Sequence, residues 1–243
     1  MQAYRKLNNP TPARITNVHF DMEYLRQEVQ MLNDKWVNVY QANRGLHTTH
    51  EDLAAANYHH FDQINLAYLE PSLNDFLDIS DRRSECKAIS QSDVLGDSQV
   101  MLYRTKINRL EHLPPAMNEH NWYHAWPIYQ DSWIRSEIEK QFKAKTIIVR
   151  LTRLRASKHL TPHIYYDTTY AVRMVVLICG TEGVKNVFWP RNQREEYNMP
   201  ADGSAYFLTV GYKYSVKHNV PDDRLALMSS LATQEDVLPW LLS

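Results

Sequence analysis

Cysteine is scarce in this chain of 243 residues, which holds only Cys86 and Cys179, too few for a disulfide framework. Net charge is scarce as well. Lysine and arginine number 27 against 28 aspartates and glutamates, so no global field draws the protein to nucleic acid or to an anionic membrane. The apolar run Val175 to Cys179, lengthened only by Met174, falls far short of the ~20 residues that span a bilayer. The N-terminal residues lack the basic, apolar and small-residue layout of a signal peptide, and the expectation is a soluble protein of the reducing cytoplasm. Internal repeats, low-complexity linkers, a glycine-rich phosphate loop, a Gly-x-Ser-x-Gly elbow and a Cys-His nucleophile pattern are all missing. That removes the nucleotide-binding and nucleophilic-hydrolase classes that carry such motifs.

What is present suits one large core or two small ones, and the simplest division is a tail with an edge strand (1–20), a helical and irregular preface (21–145) and a β-rich core (146–243) in one compact domain. Asp21 caps a helix in which Leu25, Val29 and Leu32 recur at helical spacing. Trp36 to Tyr40 suits a short strand. Glu51 to Leu69 is helix-compatible around Ala54, Ala55 and Ala56 and again around Phe61, Ile64 and Tyr68, residues 78–98 form an irregular excursion, and Val100 to Ile107 alternates as a strand does. Trp133 to Phe142 predicts a second helix with an apolar stripe of Trp133, Ile134, Ile138 and Phe142. The grammar then changes. Short β-rich runs occupy Thr146–Leu154, His163–Tyr166, Val172–Cys179, Val187–Trp189, Ala205–Val210, Tyr214–His218 and Leu225–Ser229, most of them separated by turn residues. Many short strands at modest spacing predict an α+β protein built on an antiparallel jelly roll, with the N-terminal helices packed outside it. The basic stretch Lys140 to Lys158 interleaves with Ile147, Ile148, Val149, Leu151 and Leu154 and suits the polar face of a strand.

The chemistry-bearing pattern lies in two matched halves. His163 stands ten residues before Arg173, and Tyr214 stands ten residues before Arg224. Around them run Pro162-His163, Gly203-Ser204-Ala205-Tyr206, and Ser215-Val216. These residues resemble the aspartyl/asparaginyl β-hydroxylase branch of the 2-oxoglutarate/Fe(II) oxygenases, over roughly residues 146–230. The resemblance implies a double-stranded β-helix (the cupin-like jelly roll), two histidines and usually a carboxylate on one face of Fe(II), and an arginine that grips 2-oxoglutarate bidentately. His163 stands at the first ligand position. Tyr165 stands where the carboxylate would be, and Tyr214 where the second histidine would be. A phenol must lose its proton to bind metal strongly, and phenolate prefers ferric iron, so this set is a poor Fe(II) site. Arg224 and Arg173 are the candidates for holding 2-oxoglutarate or a substrate carboxylate.

Two function readings follow. In the first, the protein has the oxygenase fold but has lost iron-dependent catalysis, needs no cofactor, and serves a binding, scaffolding or assembly role with another protein or a small carboxylate. In the second, it is an active 2-oxoglutarate-dependent hydroxylase of an amino-acid side chain, free or in a protein, with Fe(II) and 2-oxoglutarate held by an unusual ligand set. Against both stand a surface role for Arg224 beside Asp222 and Asp223, an acidic partner for Arg173, a hydrogen-bonded core role for His163, and an unrelated β-sandwich. Asp167 and His218 lie four residues past the ligand positions, ~13 Å along an extended strand, too far to share one ion without a turn. The pairs His59-His60 and His120/His124 suit surface histidines. Trp122, Tyr123, Trp126, Tyr129 and Trp133 form a cluster that suits either core or a partner surface.

Overall fold

The computed structural model describes residues 12–38, 60–68, 123–163, 172–180, 182–190, 193–208, 214–233 and 235–236. The chain enters through strand β1 (Ala13–His19) and turns at Asp21 into helix α1 (Met22–Met31). The Asp21 carboxylate accepts from the backbone N–H of Glu23 at 2.9 Å and of Tyr24 at 3.3 Å, satisfying donors that a helix start leaves open. A short β2 (Val37–Asn38) pairs with β3 (Phe61–Asn65), followed by β4 (Ala67–Tyr68), which pairs with β5 (His124–Ala125). Helix α2 (Pro127–Gln130) leads to α3 (Trp133–Gln141), whose N-cap Ser132 hydroxyl accepts from Arg135 N–H at 3.1 Å.

Eight further strands follow among the described residues: β6 (Thr146–Leu154), β7 (Leu160–His163), β8 (Val172–Cys179), β9 (Lys185–Phe188), β10 (Glu195–Tyr197), β11 (Ser204–Leu208), β12 (Tyr214–Lys217) and β13 (Arg224–Leu231). They divide between a seven-stranded sheet, β1-β11-β8-β13-β6-β3-β2, and a four-stranded sheet, β10-β9-β12-β7. Every pairing is antiparallel. Taken in chain order, β6 to β13 pass back and forth between the sheets in the double-stranded β-helix pattern, with β9 and β10 consecutive in the smaller: β6, β8, β11 and β13 lie in the larger, β7, β9, β10 and β12 in the smaller. This is the jelly roll that the turn spacing predicts, with α1 and α3 packed outside it.

Two cores follow from the period of the strands. On the outer face of the large sheet, Leu151, Met174, Val176, Phe207 and Leu227 meet Phe20, Leu25 and Val29 and the Ile134 and Ile138 side of α3. Between the sheets, Leu154, Val175, Leu177, Tyr206, Leu208, Ala226 and Met228 face Leu160, Phe188, Tyr214 and Val216.

The sequence reading departs from the structure in the preface. Residues 61–68 are not helical: Phe61 to Asn65 pairs with Leu154 to Arg150 of β6, because Asp62 and Ile64 alternate into a buried face that a sheet neighbour covers. The strand β10 goes unpredicted, since Glu195-Glu196-Tyr197 carries no apolar alternation and is held by its ladder to β9. The expected excursion 78–98 and the strand 100–107 lie outside the described residues, as do His59, His120 and Trp122. The aromatic cluster divides: Tyr129 is buried, Tyr123 and Trp126 are exposed, and Trp133 stacks on Tyr24 at 5.6 Å. His124 is part-buried beside the Tyr123 ring. No helix among the described residues is long and apolar enough to cross a membrane.

The basic run along β6 is only partly a solvated face. Asp62, 1% exposed, accepts from Arg153 Nε at 2.9 Å, Arg155 Nε and Nη2 each at 3.1 Å, and Asn38 Nδ2 at 2.9 Å. Burial opposes the charge of Asp62, but the hydrogen bonds from Arg155, Asn38 and Arg153 outweigh it and hold the carboxyl below the usual aspartate range. A carboxyl whose folded value is depressed lends stability that is present above its unfolded value of 3.8 and lost as pH falls through the folded one. Asp62→Asn is therefore expected to cost about 2–3 kcal/mol at neutral pH and to flatten the acid limb of the stability curve, measured by urea unfolding at several pH values. An unchanged acid limb would remove this ion cluster as its source.

Candidate functional site

The β6–β7 turn and the β12–β13 loop build one end of the barrel by binding each other. Ala156 N–H donates to Asp223 Oδ1 at 2.8 Å, Ser157 N–H to the Val220 carbonyl at 2.9 Å, and His218 N–H to His159 Nδ1 at 3.1 Å. These contacts fix the loop 218–223 and so the point at which β13 begins with Arg224. On the opposing sheet, Val216 pairs with Asn186, and Tyr214 pairs with Phe188 on one side and His163 on the other. Directly opposed residues share a face. Asn186, Tyr214, Val216 and Phe188 therefore look into the barrel, and the rings of Phe188 and Tyr214 lie 4.8 Å apart.

Arg224 is 5% exposed and belongs to the interior, not to a surface pair with Asp222 or Asp223. Its Nη2 donates to Asn186 Oδ1 at 3.2 Å, and Tyr214 Oη approaches the same oxygen at 3.2 Å. Because a guanidinium only donates, the atom of Asn186 facing it must be the amide oxygen. The phenol of Tyr214 must then donate as well, and in this arrangement it carries its proton.

Further polar atoms gather here. Asn186 Nδ2, Arg224 Nε and both ring nitrogens of His218 are buried, and the described residues provide none of them with a hydrogen bond of ordinary geometry. His218 is fully buried. Burial pushes its imidazole below the usual histidine range. The Asp222 backbone pulls the other way, Arg224 and His159 push further down, and Asp223 opposes them.

The structure thus brings Tyr214 and Arg224 together through Asn186. Arg173 is 2% exposed and also on the inward face, but it stands opposite Leu208 and Ser230. Its backbone is about 20 Å along the sheet from that of Arg224, so the two guanidiniums enter the interior from opposite ends. His163 is placed by its backbone opposite Tyr214; its side chain, Tyr165 and Asp167 lie outside the described residues. Among the described residues no three His, Cys, Asp or Glu side chains gather as metal ligands. Of the three positions at which the resemblance implies iron ligands, only Tyr214 has a described side chain, and its phenol, while it donates to Asn186, offers no oxygen anion to Fe(II).

Sequence reasoning missed Asn186 and the role of His218. Asn186 is a polar residue between Val184 and Phe188 on an otherwise apolar inward face, a signal visible only once the strand is known to start at Lys185.

No protein-family model matches the sequence, and no curated protein is similar to it. Solved structures with similar strand arrangements include an oxidoreductase of the 2OG-Fe(II) oxygenase family from Burkholderia pseudomallei, 12% identical, covering 88% of this chain and 90% of that one at a TM-score of 0.37. They also include an oxalate oxidase in complex with the substrate analogue glycolate, 12% identical over 37% of this chain at a TM-score of 0.30. A third is the Schizosaccharomyces pombe Cnp3 cupin domain, 9% identical over 40% of this chain at a TM-score of 0.30. The chain spans 42% of the oxalate oxidase and 63% of the Cnp3 domain. At this level of similarity the fold class rests on the strand order itself, and nothing about activity follows.

Proposed function

We propose that this chain is a 2-oxoglutarate/Fe(II) oxygenase-like jelly-roll protein that has lost iron-dependent catalysis and now holds a small carboxylate in a binding, scaffolding or assembly role. The observation that carries this reading is the shared amide oxygen of Asn186, which accepts from both Tyr214 and Arg224. It uses the proton of the phenol at a metal-ligand position as a structural hydrogen bond, and it orients a buried guanidinium, the group best suited to a carboxylate. The fold supports the ancestry; the chemistry at Tyr214 argues against the ancestral reaction.

Metal analysis of protein purified with iron, with calorimetry against Fe(II) and 2-oxoglutarate, tests the reading. The expected result is substoichiometric iron and no succinate release. Stoichiometric iron with cosubstrate-dependent succinate release would sink it. The competing reading, an active hydroxylase, draws on the position of His163 opposite Tyr214 and requires His163→Ala to abolish turnover.

A further inference from the structure

We propose that carboxylate binding at Arg224 is coupled to proton uptake by His218, so that the site fills as pH falls. The inference rests on Arg224 as an anion-holding residue and names how that site is regulated.

Among the described residues, the buried polar atoms at this end of the barrel that lack a hydrogen bond of ordinary geometry are a guanidinium N–H, an amide NH2 and the ring nitrogens of an imidazole. The first two only donate, and the imidazole donates from one nitrogen when neutral and from both when protonated. Among the described residues no carboxylate forms an ion pair with Arg224. A donor-rich, buried neighbourhood around a positive charge suits a small oxyanion.

His218 follows Val216 by two residues, Val216 pairs with Asn186, and Asn186 holds Arg224, which places His218 at the Arg224 end of the barrel; Asp222 and Asp223 from the loop before β13 and His159 from the turn after β6 are its other charged or titratable neighbours. Because His218 is fully buried and has Arg224 as its neighbour, a second positive charge is disfavoured and the neutral ring is favoured. An anion seated on Arg224 changes both terms. It cancels the guanidinium's field at His218, and it gives an imidazolium N–H an acceptor. The proton comes from bulk solvent and goes to the imidazole nitrogen that carries none, so one negative and one positive charge enter the interior together. A group whose proton affinity rises on binding makes binding stronger as pH falls, by at most about tenfold per pH unit for one proton. The coupling operates only between the free and bound titration midpoints of His218.

The ring C–H signals of His218, assigned with His218→Gln, are followed by NMR titration with and without saturating formate. The carboxyl of this probe stays ionised above about pH 5. Formate affinity is measured in parallel by saturation transfer at about pH 5.5 and about pH 7.5. The expected result is a midpoint raised by about one unit or more in formate, binding at least several-fold tighter at the lower pH, and loss of both effects in Arg224→Gln. If formate binds through Arg224 while the His218 midpoint and the affinity stay flat, the coupling is overturned and the anion site stands. If formate does not bind, or binds equally well to Arg224→Gln, the anion site falls and the coupling falls with it. The wild-type titration decides the matter even if His218→Gln folds poorly, because a histidine ring signal that moves with formate only when Arg224 is present identifies the site.

Discussion

Arg224→Met is expected to make the protein more stable while removing its affinity for carboxylates. The guanidinium is buried, with its Nε lacking a hydrogen bond among the described residues and no carboxylate in ion-pair contact there. Its Nη2 bond to Asn186 offsets only part of the desolvation. Methionine has similar length and no charge, and it would lie opposite Leu154 and beside Val216 and Ala226 in the inter-sheet core. Asn186 would keep the Tyr214 hydroxyl as a donor. Replacing a poorly compensated buried charge with a packed apolar side chain gains about 1–4 kcal/mol in comparable settings. Loss of the charged hydrogen bonds to an anion reduces affinity on the order of a hundredfold. Urea unfolding with an unchanged slope measures the first effect and formate titration the second. A destabilisation of more than about 2 kcal/mol would instead mark Arg224 as a structural pin between the two sheets. The expected sign is that of a functional residue maintained at a cost to stability.

Gly180→Ala should produce the largest loss of stability of any conservative change near the site. Gly180 adopts φ +65°, and a Cβ there would lie 2.2 Å from the Asp223 carbonyl oxygen and 2.8 Å from the Arg224 Cα. The close approach joins the end of β8 to the start of β13, where Cys179 Sγ also meets the Asp223 carbonyl at 3.5 Å. Left-handed backbone alone costs alanine roughly 1 kcal/mol. The contact with backbone atoms cannot be relieved by turning a side chain, so the total should reach about 3 kcal/mol or more. Relief requires the two strands to part, which displaces Arg224, so anion affinity should fall together with stability. Gly183→Ala is the control: its Cβ would meet only the Val220 Cγ1 atom at 3.0 Å. Equal effects of the two substitutions on formate binding would refute the link between the Gly180 contact and the site.

Much of the architecture was legible because it is local or periodic. Asp21 before Leu25 and Val29 announces α1, and the stripe of Ile134 and Ile138 announces α3. The alternation from Thr146 onward announces strands, most of them within a few residues of their observed ends. Phe61 to Asn65 was misread for the opposite reason. Its apolar residues fit either period over so short a span, and the choice was made by β6 lying beside it.

By itself the sequence determined that Tyr214 stands ten residues before Arg224 as His163 stands ten before Arg173, and that short strands must close on each other to bury their inward faces. These are matters of residue type and period. Only the tertiary structure decided that Asn186 lies between Tyr214 and Arg224, that His218 is buried beside them, and that Arg173 enters from the far end. Those facts depend on which strands pair and in what register, and register is set by contacts between residues remote along the chain, where neither period nor composition carries information.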